Sequence, residues 1–174
     1  MRKVLFLLAS MFIALSAEAQ KIMEGSAPSL KGETKINLKI DFSETKIENK
    51  SFAEWLEYRQ AEQPRYNAED ELEKELKPTL TDNIIKALNK KLEKKGAYVT
   101  LNGSAKYTLM VYPLSISKKG KNTNTCCLLN EAGTVLVKFS VSGSGGTFGS
   151  MSNLWGDGYR DSGKKIATFV GKCF

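Results

Sequence analysis

"LEKELKPTLTDNIIKALNKKL", residues 72–92, repeats a large aliphatic residue at every fourth position: Leu72, Leu76, Leu80, Ile84, Leu88 and Leu92. Spacings of three to four residues gather side chains on one face of a helix. The residues between them are mostly charged or polar, so the stretch predicts a long amphipathic helix laid along a core. Pro78 interrupts it. Proline lacks an amide proton and crowds the preceding turn, which predicts a kink or restart near Thr79 to Thr81. Asn67 is suited to cap the start of this helix, and Gly96 to stop it.

Working outward, "SFAEWLEYR" (51–59) sets Ser51 and Glu54 at capping-box spacing, with Phe52, Trp55 and Leu56 on one helical face. Gln63-Pro64 ends that helix. "KINLKIDF" (35–42) alternates Ile36, Leu38, Ile40 and Phe42 with Lys35, Asn37, Lys39 and Asp41, the pattern of a half-buried strand. Residues 20–34 are polar and contain Gly25, Pro28 and Gly32, and they read as a flexible leader.

Beyond Gly96 the pattern turns to strands. "AYVTL" (97–101) is short. "KYTLMVYPLSI" (106–116) alternates, with Pro113 expected at a bulge or an edge. "SKKGKNTNT" (117–125) reads as a polar, basic loop. "CCLLNEAGTVLVKFSVSG" (126–143) reads as a hairpin turning at Gly133. "DSGKKIATFVGK" (161–172) reads as a short closing helix with Ile166, Phe169 and Val170 inward. The order is β-α-β-β-β-β-α. It predicts an α+β two-layer sandwich: a mostly antiparallel sheet packed by one long and one short amphipathic helix, forming a single domain over 35–174.

The first nineteen residues read as an address. Arg2 and Lys3 precede the apolar run Val4 to Leu15, and Ala17 and Ala19 stand at small-residue cleavage positions. A twelve-residue apolar run is too short to cross a hydrocarbon core of roughly 30 Å. A cleaved signal peptide over 1–19 is expected, with no lipid-acceptor cysteine after it and no later membrane span. The product is then periplasmic or secreted. The chain from Gln20 onward carries 24 basic and 18 acidic residues. Acids dominate 41–75 and bases dominate 76–174. Export makes nucleic acid an unsuitable partner, leaving an envelope protein or an anionic glycan.

The run "FSVSGSGGTFGS" (139–150) invites a phosphate-loop reading but lacks the Gly-Lys-Ser/Thr such a loop requires, and Phe148 stands where a dinucleotide fingerprint needs its third glycine. These glycines are expected only to bend the chain away from the last strand. "NLWGDGYRDSGK" (153–164) holds more chemistry. Trp155 and Tyr159 beside Asp157 and Arg160, in a glycine-rich loop over 153–161, combine aromatic faces with charges suited to a ligand or partner. The alternative is that the two rings fold back onto the core. Lys118, Lys119 and Lys121 form a basic patch. The chain has no histidine, which removes Ser-His and Cys-His catalysis and any histidine base. With no second cysteine pair either, no metal site and no cofactor is expected. The chain is expected not to be an enzyme. Adjacent strand residues point to opposite faces, so one disulfide is possible, Cys127 (or Cys126) with Cys173.

The succession "KKGAYVTL", "AKYTLMVYPLSI", "CCLLNEAGTVLVKFSVSGSGG" and "DSGKKIATFVGK" resembles the small αβ domains of bacterial envelope proteins, such as the amino-terminal domain of TolB and the CsgG-type periplasmic domain. The resemblance spans roughly Lys35 to Lys172 and is one of pattern and order. It implies a non-catalytic protein-interaction or assembly domain. A small-ligand or anionic-glycan binder using the 153–161 segment is the alternative.

Overall fold

The computed structural model describes residues 20–174; the signal-peptide reading of 1–19 lies outside them. The fold is an α+β sandwich with one mixed sheet. Its strands are β1 (Lys21–Gly25), β2 (Lys35–Ile40), β3 (Lys46–Ile47), β4 (Tyr98–Leu101), β5 (Thr108–Ile116), β6 (Asn122–Leu129) and β7 (Val135–Gly143). The order across the sheet is β1-β7-β6-β5-β2-β4, with β3 beside the end of β5. The β1, β7, β6 and β5 pairings are antiparallel, whereas β2 lies parallel to both β4 and β5. The sheet is thus mostly antiparallel, as expected, with a parallel part around β2.

Alternation along the strands builds the core. Leu38, Leu109, Leu128 and Val137 form one row across four strands, and Ile40, Val111, Cys126 and Phe139 the next. All eight except the partly buried Ile40 are sealed from solvent. Pro113 lies at a register shift in β5, as expected. There β2 has ended and β3 has not begun, so no neighbour needs the missing amide. Its carbonyl accepts from Thr45 Oγ1 at 2.7 Å.

The capping signals behave as read. Ser51 and Glu54 close a reciprocal box at the start of α1 (Phe52–Glu62), and Asn67 Oδ1 accepts from the Asp70 amide at 2.9 Å to start α2 (Ala68–Asp70). Gly96, at φ 70°, stops the helical run after its 3₁₀ end, Glu93–Lys95. The leucine repeat needs a further device. Four-residue steps on a helix of 3.6 residues per turn drift about 40° each, so a regular helix would rotate its stripe away from the core. Part of the run, Glu71–Leu76, is instead π-helical. Its i→i+5 bonds fit more residues into each turn and slow the drift between Leu72 and Leu76; from Leu80 to Leu92 the stripe turns by about 120° and stays buried all the same. The regular helix α3 (Lys77–Leu92) follows, and all six aliphatic residues are at most 1% exposed. Pro78 sits at the switch from π to α, so α3 runs unbroken where a restart near Thr79 to Thr81 was expected.

Four elements differ from the reading of the sequence. The leader contains the edge strand β1, and Leu30 beyond it is buried, its amide bonded to the Cys173 carbonyl. Residues 122–125 of the expected basic loop belong to β6. β3 is a two-residue strand with no alternation to announce it. The closing helix is not short: α4 (Met151–Val170) is the longest helix described, capped by Ser150 rather than near Asp161. The segment 153–161 is thus helix, not loop.

Candidate interaction surfaces

That correction reorganises the predicted site. On α4, residues 155 and 159 share one face, and that face is inward. Trp155 is 1% exposed and Tyr159 fully buried. The Trp155 ring packs against Trp55 of α1 with centroids 6.5 Å apart. Burial pushes the Tyr159 phenol well above its ordinary range. The polar ends of both rings are enclosed as well, without a protein hydrogen-bond partner. Neither ring is available as a stacking platform for a sugar. Asp157 and Arg160 face outward and pair with each other at 2.8 Å. The four residues therefore do not converge on one ligand.

The glycines around them explain why this is helix. A Cβ on Gly158 would lie 1.9 Å from the Gly120 carbonyl oxygen, and one on Gly163 within 3.2 Å of the backbone of Ile84. Gly158 lets α4 touch the loop before β6, and Gly163 lets it press on α3. These are positions of close approach, not of turning.

The lysines sit on the turn between β5 and β6. Lys118 bonds Glu62 at 2.9 Å, which draws its pKa up. Glu62 also holds Arg59, and Arg59 makes a two-pronged pair with Glu71 at 2.8 and 2.9 Å. Arg59 and Glu71 are 8% and 6% exposed, so this pair fastens α1 to the π-helical turn out of water. Lys119 and Lys121 are exposed. Lys121, with Lys50, Ser115, Ser117 and Thr123, lines an open cleft of about 530 Å³. On its rim Glu48 and Asn49 take φ of 50° and 67° in a tight turn closed between Ile47 and Lys50. A left-handed Glu is unfavourable there, whereas Asn tolerates it.

The three cysteines are all free and buried, so the expected staple to Cys173 is not formed. Cys126 faces the helices and Cys127 the opposite side of the sheet, and burial raises the pKa of each thiol. Among the described residues, no group of three His, Cys, Asp or Glu could hold a metal ion, and no helix is long and apolar enough to cross a membrane.

Further exposed surfaces lie outside the 153–161 segment and the lysine turn. Phe148, on the loop between β7 and α4, is 87% exposed. It was read only as a glycine missing from a fingerprint. The edge strand β1 exposes Ile22 and Met23, and the edge strand β4 exposes Tyr98 and Leu101. Between β4 and α3 runs an open groove of about 670 Å³, lined by Ile85, Asn89, Ala97 and Tyr98 among others. Exposed apolar residues in short strands were the only available sign, and both edges lacked clean alternation.

No family model matches this chain, and no curated protein matches it. Among solved structures, it is similar to the PelC dodecamer from Paraburkholderia phytofirmans, at 12% identity and a TM-score of 0.45, over 83% of this chain and 97% of that one. A single-substitution variant of that dodecamer from the same organism, in another crystal form, is similar at 12% identity and a TM-score of 0.44, over 85% of this chain and 97% of that one. At such identity and TM-scores below 0.5, the likeness says nothing of what this chain binds.

Proposed function

We propose that this chain is an exported bacterial envelope protein, periplasmic or secreted, that acts as a non-catalytic protein-interaction or assembly domain. The contact would be made through the β4 edge of its sheet. The observation that carries this reading is a contrast between the two edges. Proteins blunt free strands with charge, bulges or proline, because the unpaired backbone groups otherwise recruit another strand. β1 is blunted: it holds Lys21 and Glu24 and has a register shift between Ile22 and Glu24. β4, reading Tyr-Val-Thr-Leu, has no charge, no proline and a regular register with β2; Asn89 on α3 takes the Val99 amide at 2.7 Å, which leaves the Leu101 end of the edge for a partner. Its exposed Tyr98 also opens onto the groove beside α3. An extended segment of a partner could add to β4 by backbone hydrogen bonds and seat a side chain in that groove.

The absence of histidine removes histidine-based acid-base catalysis. A photo-crosslinking residue placed at Tyr98 or Leu101 in expressing cells is expected to give discrete envelope-protein adducts. The same residue at Tyr58, exposed on α1, should give none. Adducts at all three sites alike, or at none, would remove the β4 edge as the contact.

A further inference from the structure

The Phe148 loop carries a separate reading that does not depend on the sheet edge. Thr147, Phe148 and Gly149 form a short tip held at both feet. On one side the Gly146 amide donates to the Lys119 carbonyl at 2.9 Å, and the Ser144 amide donates to Asp161 at 2.8 Å. On the other, Ser150 caps α4. The tip thus stands on the same end of the molecule as the β5–β6 turn, joined to it through the backbone. That turn supplies the exposed Lys119 and Lys121, Lys118 being paired with Glu62, while residues 139–156 contain no charged side chain at all.

From this juxtaposition of a bare aromatic tip and a lysine turn, we infer that this end of the molecule docks on an anionic lipid surface. Charge complementarity selects the lipid headgroups, because Lys119 and Lys121 are exposed while the acids at the tip's feet are already engaged, Asp161 by the Ser144 amide and Lys165, and Asp157 by Arg160. The isolation of Phe148 selects lipid over protein. A protein contact gains from an aromatic anchor when neighbouring side chains form a rim that excludes water. Phe148 is flanked by Thr147, Gly149 and Ser150, which make no such rim. A bilayer supplies the apolar surroundings by itself, and an aromatic ring beside cations is the pairing that interfacial anchoring uses.

The test is partitioning of the purified protein onto phosphatidylcholine vesicles with and without 30% phosphatidylglycerol. The expected result is binding to the anionic vesicles that weakens at high salt. Phe148→Ser should weaken it about tenfold or more, from the ring's lost burial, and Lys119→Glu with Lys121→Glu should weaken it by a similar factor. All three positions are exposed, so thermal melts should match the parent and separate lost docking from lost folding. Phe148→Trp adds a direct reporter, because Trp55 and Trp155 are buried and already sheltered. Its emission should shift to the blue with anionic vesicles and become shielded from iodide. An indole that stays red and quenchable overturns the inference. So does binding that Phe148→Ser leaves unchanged, including binding to an acidic polysaccharide through the lysines alone.

Discussion

Replacing Gly158 with alanine gives α4 a better helix former and yet should weaken the protein. In an open helix the change gains about 0.8–1 kcal/mol. Here the new Cβ would lie 1.9 Å from the Gly120 oxygen, 2.8 Å from its carbonyl carbon and 2.9 Å from Asn122 Nδ2. Two of those three atoms are backbone, so no rotamer change relieves the contact. The loop or the helix must move by about an ångström, and such overpacking costs roughly 1–3 kcal/mol. With backbone atoms in the way the cost falls at about 2–3 kcal/mol, so we predict a net loss of about 1–2 kcal/mol, or roughly 2–8 °C in midpoint for a domain of this size. Gly156→Ala is the matched control. It gains the same propensity, but its Cβ meets only the side chains of Thr79, at 3.2 Å, and Asn83, at 3.5 Å. Those side chains can give by a few tenths of an ångström, so it should match the parent or exceed it by up to about 1 kcal/mol. Urea unfolding followed by circular dichroism measures both. If Gly158→Ala is as stable as Gly156→Ala, or more so, the close approach of α4 to the Gly120 loop is wrong.

Further expectations concern charge, thiols and acid. Glu71→Ala leaves the Arg59 guanidinium with Glu62 alone and should cost about 1–3 kcal/mol, whereas exchanging both Arg59 and Glu71 for apolar residues of similar volume should restore most of it; a single substitution that unfolds at the parent's urea midpoint would contradict the buried pair. Native protein should react slowly with a thiol reagent at pH 8, and denatured, unreduced protein should yield three thiols, because all three are buried and free. A yield of one would mean that a disulfide exists. Burial alone would raise the Asp161 carboxyl, but the Ser144 amide and Lys165 outweigh it and hold its pKa below the usual value. A lowered folded pKa gives stability that is present above the unfolded value, near 4, and lost as pH falls through the folded one. Asp161→Asn should therefore flatten the loss of stability between about pH 5 and pH 3, and an unchanged slope would show that these contacts contribute nothing.

Local chemistry was legible and long-range approach was not. Ser51 with Glu54, Asn67, Gly96 and Gly133 act within a few residues of themselves, and each sits where its type predicts. The leucine repeat likewise announced its helix, though not the π-helical turn at its start. Gly156 and Gly158 misled because glycine signals turning as readily as closeness. What distinguishes the two is Gly120, far off in sequence. β1 stayed hidden because an edge strand with every side chain exposed has no period to read. The inward turn of Trp155 and Tyr159 followed from the same miss, since only a helix through Gly156 and Gly158 puts both rings on one buried face.

The position of β1 also fixes the order in which this protein can be completed. Ile22 pairs with Phe139, 117 residues later, so the first strand to be made is among the last to find its place. β2 waits similarly, since its neighbours β4 and β5 begin at Tyr98 and Thr108. Only β5, β6 and β7 can zip up with the residues next to them. The front half of the chain must therefore stay open until the back half has been delivered. A chain built this way is slow to close on itself and remains threadable for nearly its whole synthesis.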